Sequence, residues 1–181
     1  MQHLVCKGRD DQRVHFCNHK NNVIIPPFTN DTLRRAVKDY LAGGYRKKSI
    51  VKKYGEISTW DTSRVTNMYG LFKGATSFNQ PLNNWDVSNV IDMSRMFCGA
   101  TSFNQPLNKW NVSNVKDMSF MFRDAISFNQ PLNNWNVSNV TWMNVMFYNA
   151  RSFNHPLNNW NVSNVRDMIA MLVQKKTRLE T

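Results

Sequence analysis

A tryptophan recurs every 25 residues, at positions 60, 85, 110, 135 and 160, and a set of apolar residues moves in step with it. Val65, Val90, Val115, Val140 and Val165 follow at a fixed distance, then Met68, Met93, Met118, Met143 and Met168. Phe72, Phe97, Phe122 and Phe147 come next, then Ala75, Ala100, Ala125 and Ala150. Phe78, Phe103, Phe128 and Phe153 precede Pro81, Pro106, Pro131 and Pro156. A unit this short cannot bury its own apolar face and must stack on its neighbours. The period therefore decides the architecture before any single residue does.

Within a copy, Leu82-Asn83-Asn84-Trp85-Asp86-Val87 has the apolar spacing of a leucine-rich-repeat strand. Val90, Met93, Phe97 and Ala100 fall at i, i+3, i+7 and i+10, which predicts a short helix capped by Asn89 with Asp92 reaching back. The expected fold is thus an α/β repeat: a leucine-rich-repeat-like solenoid with one short strand and one short helix per 25-residue coil, plus an N-terminal helical cap. Rows of Asn79, Asn104, Asn129 and Asn154, and of Asn83, Asn108, Asn133 and Asn158, read as amide ladders from coil to coil. The expected organisation is an extension over 1–27, a basic helical cap over 28–55, the repeats over 56–173 and a tail over 174–181.

The repeated string SFNQPLNxWxVSNVxxMxxMFxxA resembles the BspA-like bacterial surface protein repeats, also seen in mycoplasma lipoprotein-type proteins, algae and giant DNA viruses. The resemblance runs from about Phe28 to Val173, and Tyr54-Gly55-Glu56-Ile57-Ser58-Thr59-Trp60-Asp61-Thr62-Ser63 is similar to that family's entry into its first repeat. It implies a leucine-rich-like solenoid used in surface display, adhesion or particle structure, without catalysis. The sequence starts without the apolar core of a secretion signal, so cytoplasmic synthesis is expected. That departure and the basic head favour a component of a large virus particle over a surface adhesin.

Charge divides the chain near Gly55. Residues 1–55 carry 12 Lys and Arg against 4 Asp and Glu, whereas residues 56–172 carry 8 against 7. In the head, Leu33, Val37, Tyr40 and Leu41 share one face of a predicted helix beginning at Asn30 and ended by Gly43-Gly44, and a second helix is expected over 46–54 with Ile50, Val51 and Tyr54 inward. Their outer surface offers Arg34, Arg35, Lys38, Arg46, Lys47, Lys48, Lys52 and Lys53 to an acidic partner, protein or nucleic acid. No base-reading motif accompanies this charge.

No nucleophile–base pair, glycine-rich phosphate loop or carboxylate pair stands out, so neither an enzyme nor a cofactor is expected. Cys6, His15, Cys17 and His19 are of zinc-ligand type, but their spacing matches no common finger, and no metal is expected. No apolar run is long enough to span a membrane. The partners expected are other proteins, capsid proteins or a second copy among them. Two surfaces stand out for that role. Where sister copies carry Asp92 and Asp117, the fourth carries Trp142; with Val145, Tyr148 and Phe120 it forms an aromatic patch expected to face outward from the helices. The last copy, bearing Leu157, Trp160 and Val162, is covered by at most one helix, and self-association or docking is expected there, with that helix running on into 174–176.

Overall fold

The computed structural model describes residues 4–8 and 11–17 by their backbone, and residues 25–172 in full. Strands β1 (Leu4–Gly8) and β2 (Asp11–Cys17) pair antiparallel, with Leu4 opposite Cys17, Cys6 opposite His15, and an irregularity between Lys7 and Gly8.

Helix α1 (Asn30–Leu41) starts where Thr29 and Thr32 form a reciprocal capping box, satisfying two end donors at once. It buries Leu33, Ala36, Val37 and Tyr40, whereas Leu41, expected on the same face, lies outside at 39% exposure. Helix α2 (Gly44–Tyr54) begins two residues before the predicted start, because Gly43 takes the left-handed turn (φ +68°) that joins the two helices tightly. Ile50, Val51 and Tyr54 pack against the core half-buried. The Phe28 ring sits tilted between Tyr54 of α2 and Trp60, at 4.8 and 5.0 Å between ring centres, while Tyr40 of α1 meets Trp60 edge-on at 5.9 Å, so both helices are packed on the first repeat.

The repeats correct the sequence reading. Among the described residues of the repeats there is no α-helix and no strand, only one 3₁₀ turn at Ile57–Thr59, so the expected α/β leucine-rich-like solenoid is not what this chain builds. The supposed strand closes a turn, the Trp85 N–H donating to the Leu82 carbonyl at 3.0 Å. The supposed helix is a train of three-residue turns, Met96 to Met93, Cys98 to Arg95 and Ala100 to Phe97. A right-handed helix cannot pass through this segment, because Arg95 and Gly99 sit at φ +60° and +72°. The intended caps are spent elsewhere: the Asn89 amide donates to the Ser63 carbonyl of the copy before.

What the period does fix is the stacking. Alternate N–H groups of one copy (Met68, Gly70, Phe72, Gly74) donate to the next copy's carbonyls at Asp92, Ser94, Met96 and Cys98, at 2.8–3.0 Å. Single parallel bridges run Asn67, Asp92, Asp117, Trp142, Asp167 along the whole array. From the second copy on, the repeat's tryptophan indole reaches back 28 residues, Trp85 to Ile57, Trp110 to Leu82, Trp135 to Leu107 and Trp160 to Leu132, at 2.7–3.1 Å, whereas Trp60 donates to the Gly55 carbonyl at 3.0 Å. The core between these bonds is columnar. Phe72, Phe97, Phe122 and Phe147 stack at 5.5 Å, and Phe78, Phe103, Phe128 and Phe153 at 6.0 Å. The turn asparagines form the ladder their spacing suggests, Asn104, Asn129 and Asn154 each donating a backbone N–H to the side chain of the Asn 25 positions earlier.

The first copy lacks a predecessor, and α1 supplies one. Thr66 N–H, whose equivalents at 91, 116, 141 and 166 donate to a preceding carbonyl, donates instead to Asn30 Oδ1 at 2.9 Å. Arg34 donates to the orphan Tyr69 carbonyl at 2.8 Å.

Candidate interaction face

Four of the five copies shape their outer edge with the same device. The bridge residue accepts a hydrogen bond from the N–H two positions on: Asn67 from Tyr69, Asp92 from Ser94, Asp117 from Ser119 and Asp167 from Ile169, all at 2.8–2.9 Å. Trp142 stands in this row without an acceptor to offer, and the residue is 43% exposed.

Three positions further, every copy turns left-handed. The residues there are Gly70, Arg95, Phe120, Val145 and Ala170, with φ between +53° and +61°. A second left-handed row holds Gly74, Gly99, Asp124 and Asn149. Glycine, Asn and Asp adopt this conformation readily, whereas a phenylalanine and a β-branched valine do not. The first row thus places Phe120 and Val145 at a conformational cost of about 1–3 kcal/mol each.

The face they make is aromatic and cationic. The Arg95 guanidinium lies 4.2 Å from the centre of the Phe120 ring, and Arg123 lies 5.9 Å from Phe120 and 5.8 Å from Tyr148. Arg123 also pairs with Asp124 at 3.1 Å. Tyr69, Arg95, Phe120 and Trp142 line one groove of about 510 Å³ together with the polar Ser94, Ser119 and Asn144 and the carboxylates of Asp117 and Asp167. Of the residues singled out in the sequence, Phe120, Val145 and Tyr148 are half-buried and Trp142 is exposed; they ride on turns, not on helices. Sequence reasoning missed Tyr69, Arg95 and Arg123. The row carrying Gly70 in one copy and Arg95 in the next was the available signal, since it marks a side chain standing where glycine is at home. Cys98 occupies Arg123's place one copy earlier; burial pushes its thiol up, against the pull of Arg123. On another edge, hydrogen bonds from the Ser88 hydroxyl and N–H hold the Asp86 carboxyl below its ordinary value, against a small opposing effect of burial.

The other predicted surfaces are placed as follows. Arg34 is engaged on the first copy, through Tyr69 and Asn67. Lys47 and Lys53 lie over the rings of Tyr40 and Tyr54, at 4.4 and 4.8 Å. Arg35, Lys38, Arg46, Lys48 and Lys52 are exposed. In the last copy Trp160 is buried, Leu157 half-buried and Val162 exposed, with Met168 and Leu172 exposed beside them. The helix expected there is a turn as far as Leu172, and its continuation lies outside the described residues. Of the four zinc-type residues, β1 and β2 set Cys6 opposite His15 and carry Cys17, while His19 lies outside the described residues. Among the described residues no three His, Cys, Asp or Glu side chains are grouped to hold a metal, and no helix is long and apolar enough to cross a membrane.

A family model described as "Mycoplasma protein of unknown function, DUF285" matches residues 45–113 and 82–180, and the chain belongs to that family. The family is also known as the BspA-like repeat family, which agrees with the resemblance carried by the repeated string. No curated protein and no solved structure matches the chain.

Proposed function

We propose that this chain is a non-enzymatic interaction protein whose stacked coils hold the Tyr69, Arg95, Phe120, Trp142 and Tyr148 face rigid for a partner protein. One observation carries the reading: the repeat abandons its own rules on this face. Trp142 forfeits a turn-making carboxylate that its sister copies keep, and Phe120 and Val145 occupy left-handed positions where the first copy has glycine. The fold imposes the left-handed turn in every copy, but placing a phenylalanine and a valine on it costs energy that a glycine would not, and such residues cluster at functional surfaces. Trp, Tyr and Arg are the residues that anchor protein contacts, and aromatic rings held from below lose little freedom on binding. Among the settings the resemblance implies, the one we favour, for the basic head, is a structural component of a large DNA virus particle.

The test is a pair of tagged chains, parent and Trp142→Asp, captured after crosslinking from cells that make the protein. Asp restores the turn of the sister copies, so the variant is expected to keep the parent's melting temperature while losing the crosslinked protein. Undiminished crosslinking by a folded variant removes the face from consideration. Fractionation of the untagged protein with particles, rather than with membranes, tests the setting.

A further inference from the structure

The end of the stack that bears α1 and α2 carries a second surface of different chemistry. Helix α2 holds Arg46, Lys47, Lys48, Lys52 and Lys53 and no acidic residue. Tyr45, Lys48, Ser49 and Lys52 stand at i, i+3, i+4 and i+7, so they share one face of α2, and all four are exposed, Tyr45 at 85%. Arg35 and Lys38 of α1 are exposed as well. Among the described residues the one ion pair is Arg123 with Asp124, so no cation of the cap sits in a salt bridge, although Arg34 is hydrogen-bonded to the first repeat and Lys47 and Lys53 lie over tyrosine rings. Beside the helices, a groove of about 430 Å³ runs from the cap onto the first repeat, lined by Tyr40, Lys47, Lys73, Ser77 and Gln80.

Stability does not account for this arrangement. Lys52 and Lys53 suit the C-terminal turn of α2, but Arg46 and Lys47 lie in its first turn, with Lys48 just beyond, where the helix field disfavours positive charge. An apolar anchor for a folded protein is scarce here, since the exposed large apolar side chains of α1 and α2 are Leu41 and Tyr45. What the cap offers is a track of exposed cations (Arg35, Lys38, Arg46, Lys48 and Lys52), a polar groove with a lysine on each side, and one exposed ring able to stack.

We infer that the α1–α2 cap binds single-stranded nucleic acid without sequence preference, its cations tracking phosphates and Tyr45 stacking on a base. Such binding combines a cationic path with aromatic platforms, and its strength follows counterion release. The surface lies on the helices, apart from the Trp142 face, and does not depend on the partner proposed there.

The experiment is fluorescence anisotropy of the full chain with a fluorescein-labelled, mixed-sequence single-stranded oligonucleotide. With about five phosphate contacts and a slope of about −0.7 per contact, affinity is expected to fall about 100-fold between 50 and 200 mM salt. Lys48→Glu with Lys52→Glu should weaken binding at least about tenfold and flatten the salt dependence by about two contacts. Tyr45→Ala should weaken it about tenfold with the slope unchanged, because stacking releases no counterions. Trp142→Asp should bind like the parent. Circular dichroism melts of the exposed-residue variants should coincide with the parent's. Absence of binding at low salt overturns the inference, as does equal displacement by polyglutamate, which would make the cap a general acceptor of acidic protein. Full affinity in a folded double variant overturns it too.

Discussion

Val145 shows how a single backbone angle separates fold from function. Its φ of +61° puts a branched side chain where the first copy has Gly70 at +59°. Replacing it with glycine removes the left-handed penalty of about 1–3 kcal/mol and sacrifices a half-buried side chain. Val145→Gly is therefore expected to fold with a melting temperature equal to or above the parent's, and to weaken partner capture. Val140, buried between coils, provides the contrast. If Val145→Gly lost more than about 2 kcal/mol, the side chain would belong to the core, and the strain would be explained by packing.

At the scale of the element, what the sequence concealed was hand rather than position. Val90, Met93, Phe97 and Ala100 are buried as their spacing requires. Yet an i, i+3, i+7 pattern arises both from a helix and from consecutive turns that each close on the third residue back, and periodicity cannot separate the two. The left-handed residues do, and Gly70, Gly74 and Gly99 mark them in only the first two copies; later copies use Asp124 and Asn149, or pay in strain at Phe120 and Val145. Tyr69, Arg95 and Arg123 were illegible for a related reason. They meet the patch only because coils superimpose positions 25 residues apart, and a helix would have pointed them elsewhere. Trp142 and its neighbours were legible because they break a row. The cap helices could be read from their own apolar faces, but not the use of Asn30 and Arg34 as substitutes for a missing coil. Asn30→Ala should leave Thr66 and Asn67 without their acceptor, costing about 1 kcal/mol. Hydrogen exchange should accelerate at the amides of Thr66 and Asn67 and stay unchanged at Lys116 and Thr141. Equal acceleration along the array would mean that the first coil is held by something other than α1.

For the molecule as a whole, stability is shared between neighbours, so a central coil matters more than a terminal one. Trp110 is the sharpest probe. It stacks on Trp135 at 6.3 Å, donates to the Leu82 carbonyl at 2.9 Å and is almost fully buried. Trp110→Ala is expected to cost about 3–5 kcal/mol, read by chemical denaturation. A loss below about 1 kcal/mol would mean that the columns of rings do not hold the coils together. The same columns make the protein a ruler. Because each coil meets the next through the same hydrogen bonds and the same 5.5 Å step between phenylalanines, adding or deleting one 25-residue copy should displace everything beyond it by one graduation and disturb nothing on either side. The interval between the basic helices at one end and the exposed indole of the fourth coil is accordingly an integer count of copies, a length that gene duplication can lengthen or shorten without redesigning either surface.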